Sequence, residues 1–352
     1  MAKIISLFNH KGGVSKTTTT FNLGWSLADL GLKVLLVDAD PQCNLTAYCL
    51  GLDSQKKLDL FYEQKANDNI YDAIKNVFGA SDNQSFRAVK PTETMHKNLK
   101  LAAGNIAITE MDIFCAMGMV SDNRYQASNM KYVGLFNEML RKTAKENYFD
   151  VVLVDMSPSS GAFNRAILMG SDYFIVPTYP DFFCYQSIEY LASQLPIWSD
   201  DFKQFRIPTV PNNLPSENPQ MLGVILQKYR PYKNENQDKV REAQKWIDKI
   251  QTASKNILAD SLQKYNMVIA ESQFREVIEN NKPYNLIEIP DFNSLILISQ
   301  QYSKPVFELS VAEINQQGKI LTNQQAKQHE FKEKFTELAI RVKKLAKLPE
   351  KK

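Results

Sequence analysis

Cysteine and histidine are scarce in this chain of 352 residues. The four cysteines, Cys43, Cys49, Cys115 and Cys184, include no Cys-x-x-Cys pair, and the three histidines are far apart in the sequence. Paired cysteines and clustered histidines are the usual ligands of structural zinc and of iron–sulfur clusters. The sequence therefore argues against both kinds of metal site and against a disulfide framework.

Long hydrophobic runs are also absent. The longest apolar runs have the length of a strand, which argues against a membrane span, and residues 3–8 already form a strand-like run with no secretory signal before it. With 44% hydrophobic and 23% charged residues, the composition is that of a globular domain. We therefore expect the protein in the cytoplasm.

Most of the chain has no large excess of positive or negative charge. The formal net charge is +3, but residues 327–352 alone contain nine Lys or Arg and four Glu. The rest of the chain is consequently slightly acidic, and any basic surface predicted from the sequence is local to the C-terminus.

A stretch rich in glycine, lysine and threonine runs from residue 9 to residue 20 and reads Asn-His-Lys-Gly-Gly-Val-Ser-Lys-Thr-Thr-Thr-Thr. Residues 3–8 before it are apolar and branched, as in a buried parallel strand, and residues 21–30 after it repeat apolar side chains at helical spacing. The stretch therefore lies between a strand and a helix N-terminus, where unpaired backbone N–H groups and the positive end of the helix dipole meet. This arrangement predicts a phosphate-binding loop.

The residue types in the stretch fit this role. Gly12 and Gly13 leave the backbone amides uncovered, and Lys16 adds a mobile charge near the outer phosphates. Thr17 supplies a hydroxyl suited to a Mg²⁺ ion that bridges those phosphates. Lys11 is a second lysine, upstream of the one in the general pattern Gly-x-x-x-x-Gly-Lys-Ser/Thr. The predicted nucleotide-binding residues of the loop are Lys11, Gly12, Gly13, Val14, Ser15, Lys16, Thr17 and Thr18.

Three aspartates follow apolar runs that predict buried strands. Asp38 and Asp40 come after residues 33–37, and Asp155 comes after residues 151–154. Parallel strands bring their carboxyl ends to one edge of an open α/β sheet, where ligands bind. Acids at a phosphate site hold Mg²⁺ or orient water, although an aspartate at a strand end also commonly caps a turn. We predict Asp155 as a metal-site residue, together with Thr17, and expect one of Asp38 and Asp40 to help hold Mg²⁺ while the other orients water.

The run Lys-Gly-Gly-Val-x-Lys-Thr-Thr resembles the deviant Walker A signature of the ParA and MinD group of ATPases, and Asp-x-Asp-Pro-Gln resembles the second signature of that group. The resemblance implies that Lys11 reaches across a nucleotide-sandwich dimer to the partner's phosphates. It also implies that Asp38 supports the Mg²⁺ sphere and that Asp40 positions the attacking water. The group usually has glycine where this chain has Ser15, so we expect an altered loop geometry at that position.

The alternation of strands and helices predicts the α/β class, with a doubly wound, mostly parallel sheet and a P-loop NTPase fold. We expect a single domain over residues 1–352, with an insertion at about 53–130, a loop at about 200–220 and a basic C-terminal helix at about 324–348. Further predicted strands cover 98–103, 173–178, 221–227 and 284–290, and further predicted helices cover 69–78, 130–146, 187–195 and 237–262.

Gln227 ends the strand predicted at 221–227. Relatives often place an amide at the end of this strand to bind the adenine edge. The resemblance therefore implies a nucleotide contact from Gln227.

The predicted C-terminal helix has one apolar face and one lysine-rich face. Three interpretations of the basic face remain open, namely a solvated surface, a contact with nucleic-acid phosphates and a MinD-like membrane-surface helix. DNA-binding relatives carry an Arg-Leu-x-Glu-Ala run after the last strand, and the nearest counterpart here, residues 294–298, lacks the arginine. The apolar positions are Phe331, Phe335, Leu338, Val342 and Leu345, and the clustered cations are Arg341, Lys343, Lys344 and Lys347.

The resemblance implies an ATPase that uses ATP and Mg²⁺, with Lys11, Lys16 and Asp40 as catalytic residues. It implies a homodimer in the ATP state that hydrolyses ATP slowly and acts as a switch in plasmid or chromosome partitioning or in cargo positioning. The expected partners are non-specific DNA and a ParB-like or other cargo adaptor, and a membrane is not expected. The alternatives are a regulatory or defence-associated ATPase of this group and a MinD-like membrane-surface ATPase. A biosynthetic enzyme on the same fold is a further class, but iron–sulfur members of that class need cluster cysteines that this chain lacks.

Overall fold

In the computed structural model we describe residues 1–64, 67–78, 85–120, 129–229, 237–278, 282–292 and 294–351. Parts of the predicted insertion, residues 65–66, 79–84 and 121–128, lie outside the described residues. The strands are β1 (Lys3–Leu7), β2 (Val34–Asp38), β3 (Thr92–Glu93), β4 (Leu99–Ala102), β5 (Val151–Asp155), β6 (Tyr173–Thr178), β7 (Gln220–Tyr229) and β8 (Asn285–Pro290).

These strands form one sheet in the order β3-β4-β2-β5-β1-β6-β7-β8. All neighbouring pairs are parallel except β3 with β4 at the edge of the sheet. The predicted doubly wound, mostly parallel α/β fold is confirmed. The two-residue strand β3 was not predicted, because Thr92–Glu93 has neither the length nor the apolar character of a buried strand.

Helices cover both faces of the sheet, and none in the described part of the chain has the length and apolarity that crossing a membrane requires. They are α1 (Lys16–Asp29), α2 (Asn44–Leu50), α3 (Gln55–Glu63), α4 (Ile70–Ile74), α5 (Glu110–Met119), α6 (Lys131–Glu146), α7 (Ala162–Gly170), α8 (Phe182–Asp201), α9 (Gln237–Ala253), α10 (Asp260–Gln263), α11 (Glu271–Val277), α12 (Leu295–Tyr302), α13 (Val311–Ile314) and α14 (Gly318–Leu345).

Several helix bounds differ from those predicted. The helix predicted at 187–195 extends over Phe182–Asp201, because Asp181 caps its N-terminus and the helix continues through Pro196. The helix predicted at 237–262 consists of α9, a π-helical turn over Ser254–Ala259 and then α10. In the segment predicted as a loop at 200–220, Phe202–Arg206 forms a 3₁₀ helix.

The C-terminal helix α14 begins at Gly318, before the predicted start, and packs on α1 and β8. Phe292, two residues after β8, stacks on Phe331 with ring centres 4.4 Å apart. Burial of this apolar face anchors the C-terminus against the first helix of the fold. The five apolar positions predicted for this face are all buried, namely Phe331, Phe335, Leu338, Val342 and Leu345.

The predicted basic cluster of α14 is divided between two environments. The Arg341 guanidinium donates to the Leu286 carbonyl and pairs with Glu337, and Lys343 lies 2.6 Å from Glu350. Lys344 and Lys347 are exposed. The four cations therefore do not form one free basic face, because two of them hold α14 to its surroundings.

Candidate functional site

The loop between β1 and α1 brings the start of a helix to the carboxyl edge of the sheet. Gly13 (φ +74°) and Ser15 (φ +59°) both have left-handed backbone conformations. Ser15 is the N-cap residue of α1, and its side chain makes no capping hydrogen bond. The first-turn N–H groups of α1 therefore lack a side-chain cap, as expected where an anion binds a helix N-terminus.

Lys16 lies across the loop. Its ammonium donates to the carbonyls of Asn9 at 3.0 Å and of Lys11 at 3.2 Å. Burial lowers the pKa of Lys16, although Asp155 and Asp40 oppose this shift. A buried ammonium whose hydrogen bonds go to two neutral carbonyls favours a phosphate anion in the adjoining space.

Lys11 is placed differently from Lys16. Its ammonium lies 2.5 Å from a carboxylate oxygen of Asp181, the N-cap residue of α8. The ring centres of Tyr179 and Phe183 lie 5.9 and 5.5 Å away. The two lysines of the loop thus occupy different environments, and the Lys11 side chain is held outside the phosphate-binding cavity of its own chain.

Asp38 and Asp155 are direct neighbours in the register of β2 and β5. Burial raises the pKa of Asp38 to about 7, and Thr46 opposes this shift by donating two hydrogen bonds of 2.7 Å from its amide and hydroxyl. Burial and the neighbouring Asp38 raise the pKa of Asp155 to about 8. Two buried carboxyls side by side favour their neutral form unless a cation joins them.

Asp155 is the residue that fits a cation best. Both carboxylate oxygens are buried and have no hydrogen-bond partner among the described residues. An unpartnered buried carboxylate is costly, and the cost is removed by a metal ion. Thr17 lies beside Asp155. The Thr17 hydroxyl and the carboxylates of Asp38 and Asp155 are oxygen ligands of the kind that Mg²⁺ accepts. The predicted metal residues Thr17, Asp38 and Asp155 are therefore brought together.

Asp40 lies at the wall of the cavity. One of its carboxylate oxygens accepts a hydrogen bond of 3.0 Å from the Gln42 amide, and the side chain lines the open space in front of the loop. A carboxylate in this position can accept a hydrogen bond from a water molecule. Asp40 thus differs from Asp38, which Thr46 holds inside the fold.

An open cavity of about 840 Å³ lies in front of the loop. Residues 12–18 line one part of it, and Phe292 together with α12 lines a second part, the second wall. That second wall is largely apolar through Phe292, Ile296 and Leu297, as suits the flat face of a base. Sequence reasoning did not assign α12 to the site, because only the sheet order places the chain after β8 beside the loop.

The prediction for Gln227 is not supported by its position. Gln227 is fully buried, and its amide nitrogen donates to the Thr19 hydroxyl of α1 rather than lining the cavity. β7 continues to Tyr229, so Gln227 lies inside the strand and not at its end, and its amide contacts α1.

Two further residues of the site were missed. Thr46 holds Asp38, and its hydroxyl also accepts a hydrogen bond of 2.9 Å from the Gly104 amide. A Cβ atom at Gly104 would lie only 3.0 Å from the Asp38 carboxyl carbon, so glycine is needed for close packing there. Neither residue is part of a local motif, so the sequence carried no signal for them.

Residues 2–204 match the family model described as an AAA domain. An uncharacterized protein of Methanocaldococcus jannaschii is 30% identical over 231 residues, which cover 64% of this chain and 73% of that protein. The sporulation initiation inhibitor protein Soj of Bacillus subtilis is 29% identical over 194 residues, which cover 55% of this chain and 64% of Soj. The match thus spans slightly less than two thirds of Soj.

Solved structures share the fold at low sequence identity. The chain superposes on pNOB8 ParA bound to nonspecific DNA with a TM-score of 0.54 and 20% identity, covering 99% of both chains. Apo McdA of Cyanothece gives a TM-score of 0.54 at 16% identity, covering 94% of this chain and 99% of that one. The family match over more than half of the chain, the phosphate-binding loop and the parallel sheet agree. The chain belongs to the AAA-domain family, within the ParA and MinD group of P-loop ATPases.

Proposed function

We propose that this protein is a nucleotide-dependent switch that binds ATP with Mg²⁺, forms a homodimer in the ATP state and hydrolyses ATP slowly. Plasmid or chromosome partitioning, or the positioning of another cargo, is the process that we assign to it. Two solved structures of the same fold support the choice of ATP and DNA as proposed ligands. An McdA variant of Cyanothece was solved with ATP, and pNOB8 ParA was solved with nonspecific DNA.

In the proposed mechanism, different residues of the chain bind the phosphates, the base, the metal ion and the attacking water. The loop amides and Lys16 bind the phosphates, and the apolar wall at Phe292 receives the base. Thr17, Asp38 and Asp155 would hold Mg²⁺, which when bound neutralises charge on the phosphates. Asp40 orients the attacking water by accepting its hydrogen bond.

The position of the Lys11 side chain is the observation that supports the proposed homodimer. Lys16 already provides the ammonium on its own loop, whereas the Lys11 ammonium is held at the surface by Asp181, with 24% of its side chain exposed. A charge at the rim of one subunit can contact phosphates of another subunit once the two cavities face each other. The Lys11 contact with Asp181 would have to open for this to happen.

The test compares assembly states in an Asp40→Ala background, in which slow hydrolysis should preserve the ATP form. We expect sedimentation to show a dimer with Mg²⁺ and ATP and a monomer with ADP. Adding Lys11→Ala should leave a monomer that still binds ATP, whereas adding Lys319→Ala, an exposed lysine on α14, should leave the dimer unchanged.

A Lys11→Ala protein that dimerises as well as its parent would show that Lys11 does not act across subunits. Hydrolysis at the parental rate in Asp40→Ala alone would remove the role of Asp40. Binding of the Asp40→Ala protein to random-sequence duplex DNA, measured with ATP, with ADP and without nucleotide, tests the partition role. An ATP-dependent gain in affinity is expected.

A further inference from the structure

Tyr48 connects two helices that both line the nucleotide cavity. It lies on α2, the seven-residue helix that follows Asp38 and Asp40 along the chain, and it lines the cavity although only 3% of it is exposed. Its hydroxyl is hydrogen-bonded to the Ser299 hydroxyl of α12. The two residues are 251 positions apart in the sequence, so this contact is a product of the fold.

The direction of this hydrogen bond follows from a second one. The Ser299 hydroxyl donates to the Lys304 carbonyl at 2.5 Å, so its hydrogen is already used and the Tyr48 hydroxyl is the donor. Tyr48 and Ser299 are both buried. Because a buried hydroxyl that loses its partner costs free energy, the pair favours one relative position of α2 and α12.

A close contact at the ends of the two helices restrains the same pair of elements. Gly51 ends α2 with a left-handed backbone (φ +64°), and a Cβ atom there would lie 3.0 Å from the hydroxyl of Ser303, the C-cap residue of α12. The two helices therefore contact each other at two points. Close packing of this kind resists a displacement of one helix relative to the other.

α2 also carries the residue that holds the acids of the site. Thr46 donates two hydrogen bonds of 2.7 Å to one carboxylate oxygen of Asp38, and the other oxygen accepts a hydrogen bond of 3.3 Å from the Asp40 amide. Thr46 and Tyr48 are two residues apart on the same short helix. The position of α2 consequently determines where Asp38 and Asp40 lie.

α12 carries the side chains that face the base in the proposed mechanism. Ile296, Leu297 and Gln300 line the cavity, and Leu297 is 69% exposed. Covering such an apolar side chain with the flat face of a base is favourable. A bound base would therefore stabilise one position of α12 and, through Ser299 and Tyr48, one position of α2.

We propose that Tyr48 is a positioning residue for hydrolysis, which joins the base-binding wall of the cavity to the segment that carries Asp38 and Asp40. The base places α12, and Tyr48 transfers that placement to α2 and the acids. The proposal rests on the proposed function, since it assumes ATP hydrolysis in this cavity. It goes beyond that function because it makes the rate of hydrolysis depend on the base, and small displacements of a group that orients water lower kcat strongly.

The experiment compares the hydrolysis of ATP with that of inorganic triphosphate, which has the phosphates but no base, in the presence of Mg²⁺. We expect kcat of the parent to be about tenfold higher for ATP than for inorganic triphosphate. Tyr48→Phe keeps the ring and removes only the hydroxyl. It should lower kcat for ATP about tenfold, change KM less than about twofold and leave kcat for inorganic triphosphate unchanged.

Tyr284→Phe is the matched control. The Tyr284 hydroxyl is buried and donates to the Ile269 carbonyl at 3.0 Å, and neither residue lines the cavity. This variant should lose a similar amount of stability but keep both kcat values, whereas Ser299→Ala should reproduce the effect of Tyr48→Phe. An equal loss of kcat in Tyr284→Phe would overturn the proposal, as would a ratio of the two kcat values that Tyr48→Phe leaves unchanged.

A double-mutant cycle with Leu297→Ala tests the link to the base with ATP as the only substrate. Leu297→Ala alone should lower kcat for ATP, whereas in the Tyr48→Phe background it should raise KM and leave kcat unchanged. Additive effects on kcat would mean that Leu297 and Tyr48 act independently, contrary to the proposal. A parent protein that binds ATP without hydrolysing it would contradict the proposed function itself, so the two failures are distinguishable.

Discussion

At the scale of single residues, the Asp155 carboxyl is buried, and neither of its oxygens has a hydrogen-bond partner among the described residues. Its neighbour Asp38 is satisfied by Thr46, so the two acids share a position in the sheet but not an environment. This asymmetry suits a metal site in which one acid is held by the protein and the other is left for the ion.

These carboxyls predict a specific pH dependence for the ligand-free protein. The pKa values of Asp38 and Asp155 are raised to about 7 and about 8, so the folded state binds more protons than the unfolded state above about pH 4. The protonated carboxyls therefore make their full contribution to the free energy of unfolding below about pH 4. This contribution is lost as the pH rises to about 8, and the free energy of unfolding falls by up to about 1.4 kcal/mol per pH unit for each carboxyl.

Asp155→Asn removes one of these titrations. We expect its free energy of unfolding, measured by urea denaturation relative to the parent, to improve steadily from pH 5 to pH 7.5. Asp53→Asn, an exposed acid, serves as the control and should show no such trend. A parallel pH dependence for Asp155→Asn and the parent would mean that Asp155 is ionised in the folded protein across this range.

Ser15 is the second residue whose conformation lowers the stability of the fold. The resemblance led us to expect altered loop geometry there, and Ser15 adopts the left-handed conformation (φ +59°) that glycine adopts freely. Left-handed backbone costs a non-glycine residue about 1–2 kcal/mol, and the entropy of glycine in the unfolded chain offsets part of the gain. We expect Ser15→Gly to raise the free energy of unfolding by about 1 kcal/mol.

The matched control for this substitution is Ser54→Gly. Ser54 also precedes a helix without a side-chain capping bond, but its backbone is extended (φ −149°). Glycine should therefore destabilise the protein slightly at that position. If Ser15→Gly behaved in the same way as Ser54→Gly, the left-handed conformation would not be the source of the effect.

At the scale of elements, the N-terminus of α8 links the phosphate-binding loop to the helix beside it. Asp181 accepts a hydrogen bond of 2.7 Å from the Cys184 amide as the helix cap, and its other oxygen pairs with Lys11. One side chain thus starts a helix and positions a lysine of the loop.

The two roles of Asp181 can be separated by substitution. Asp181→Ala loses cap and ion pair and should cost about 1–2 kcal/mol of unfolding free energy. Asp181→Asn keeps an equivalent cap and should lose only the ion pair, at most about 1 kcal/mol. Denaturation at low and high salt checks this, because only the ion-pair part is screened. Equal losses for both variants would assign the whole effect to the charge.

At the scale of the whole molecule, the sheet separates two surfaces of different chemistry. Its carboxyl edge carries the loop, the three aspartates and the apolar side chains of α12, while its amino edge carries a cleft lined by basic side chains that include Lys33 and Lys145.

The sequence alone determined the phosphate-binding loop, the acids at the strand ends and the parallel fold. These features depend on short segments, in which periodicity and residue type decide the conformation. It also determined the apolar face of α14, because Phe331 and Phe335 follow helical spacing. The roles of Lys11 and Asp40 stay predictions that the proposed experiments test.

Only the tertiary structure decided which distant segments meet. It placed Thr46 on Asp38, directed the Gln227 amide to Thr19, brought α12 to the cavity in front of the loop and brought Lys33 and Lys145 to one cleft at the amino edge of the sheet. The physical reason is that strand order and register fix these contacts. Both depend on how buried strands pair across the whole sheet, and no local pattern in the sequence records that pairing.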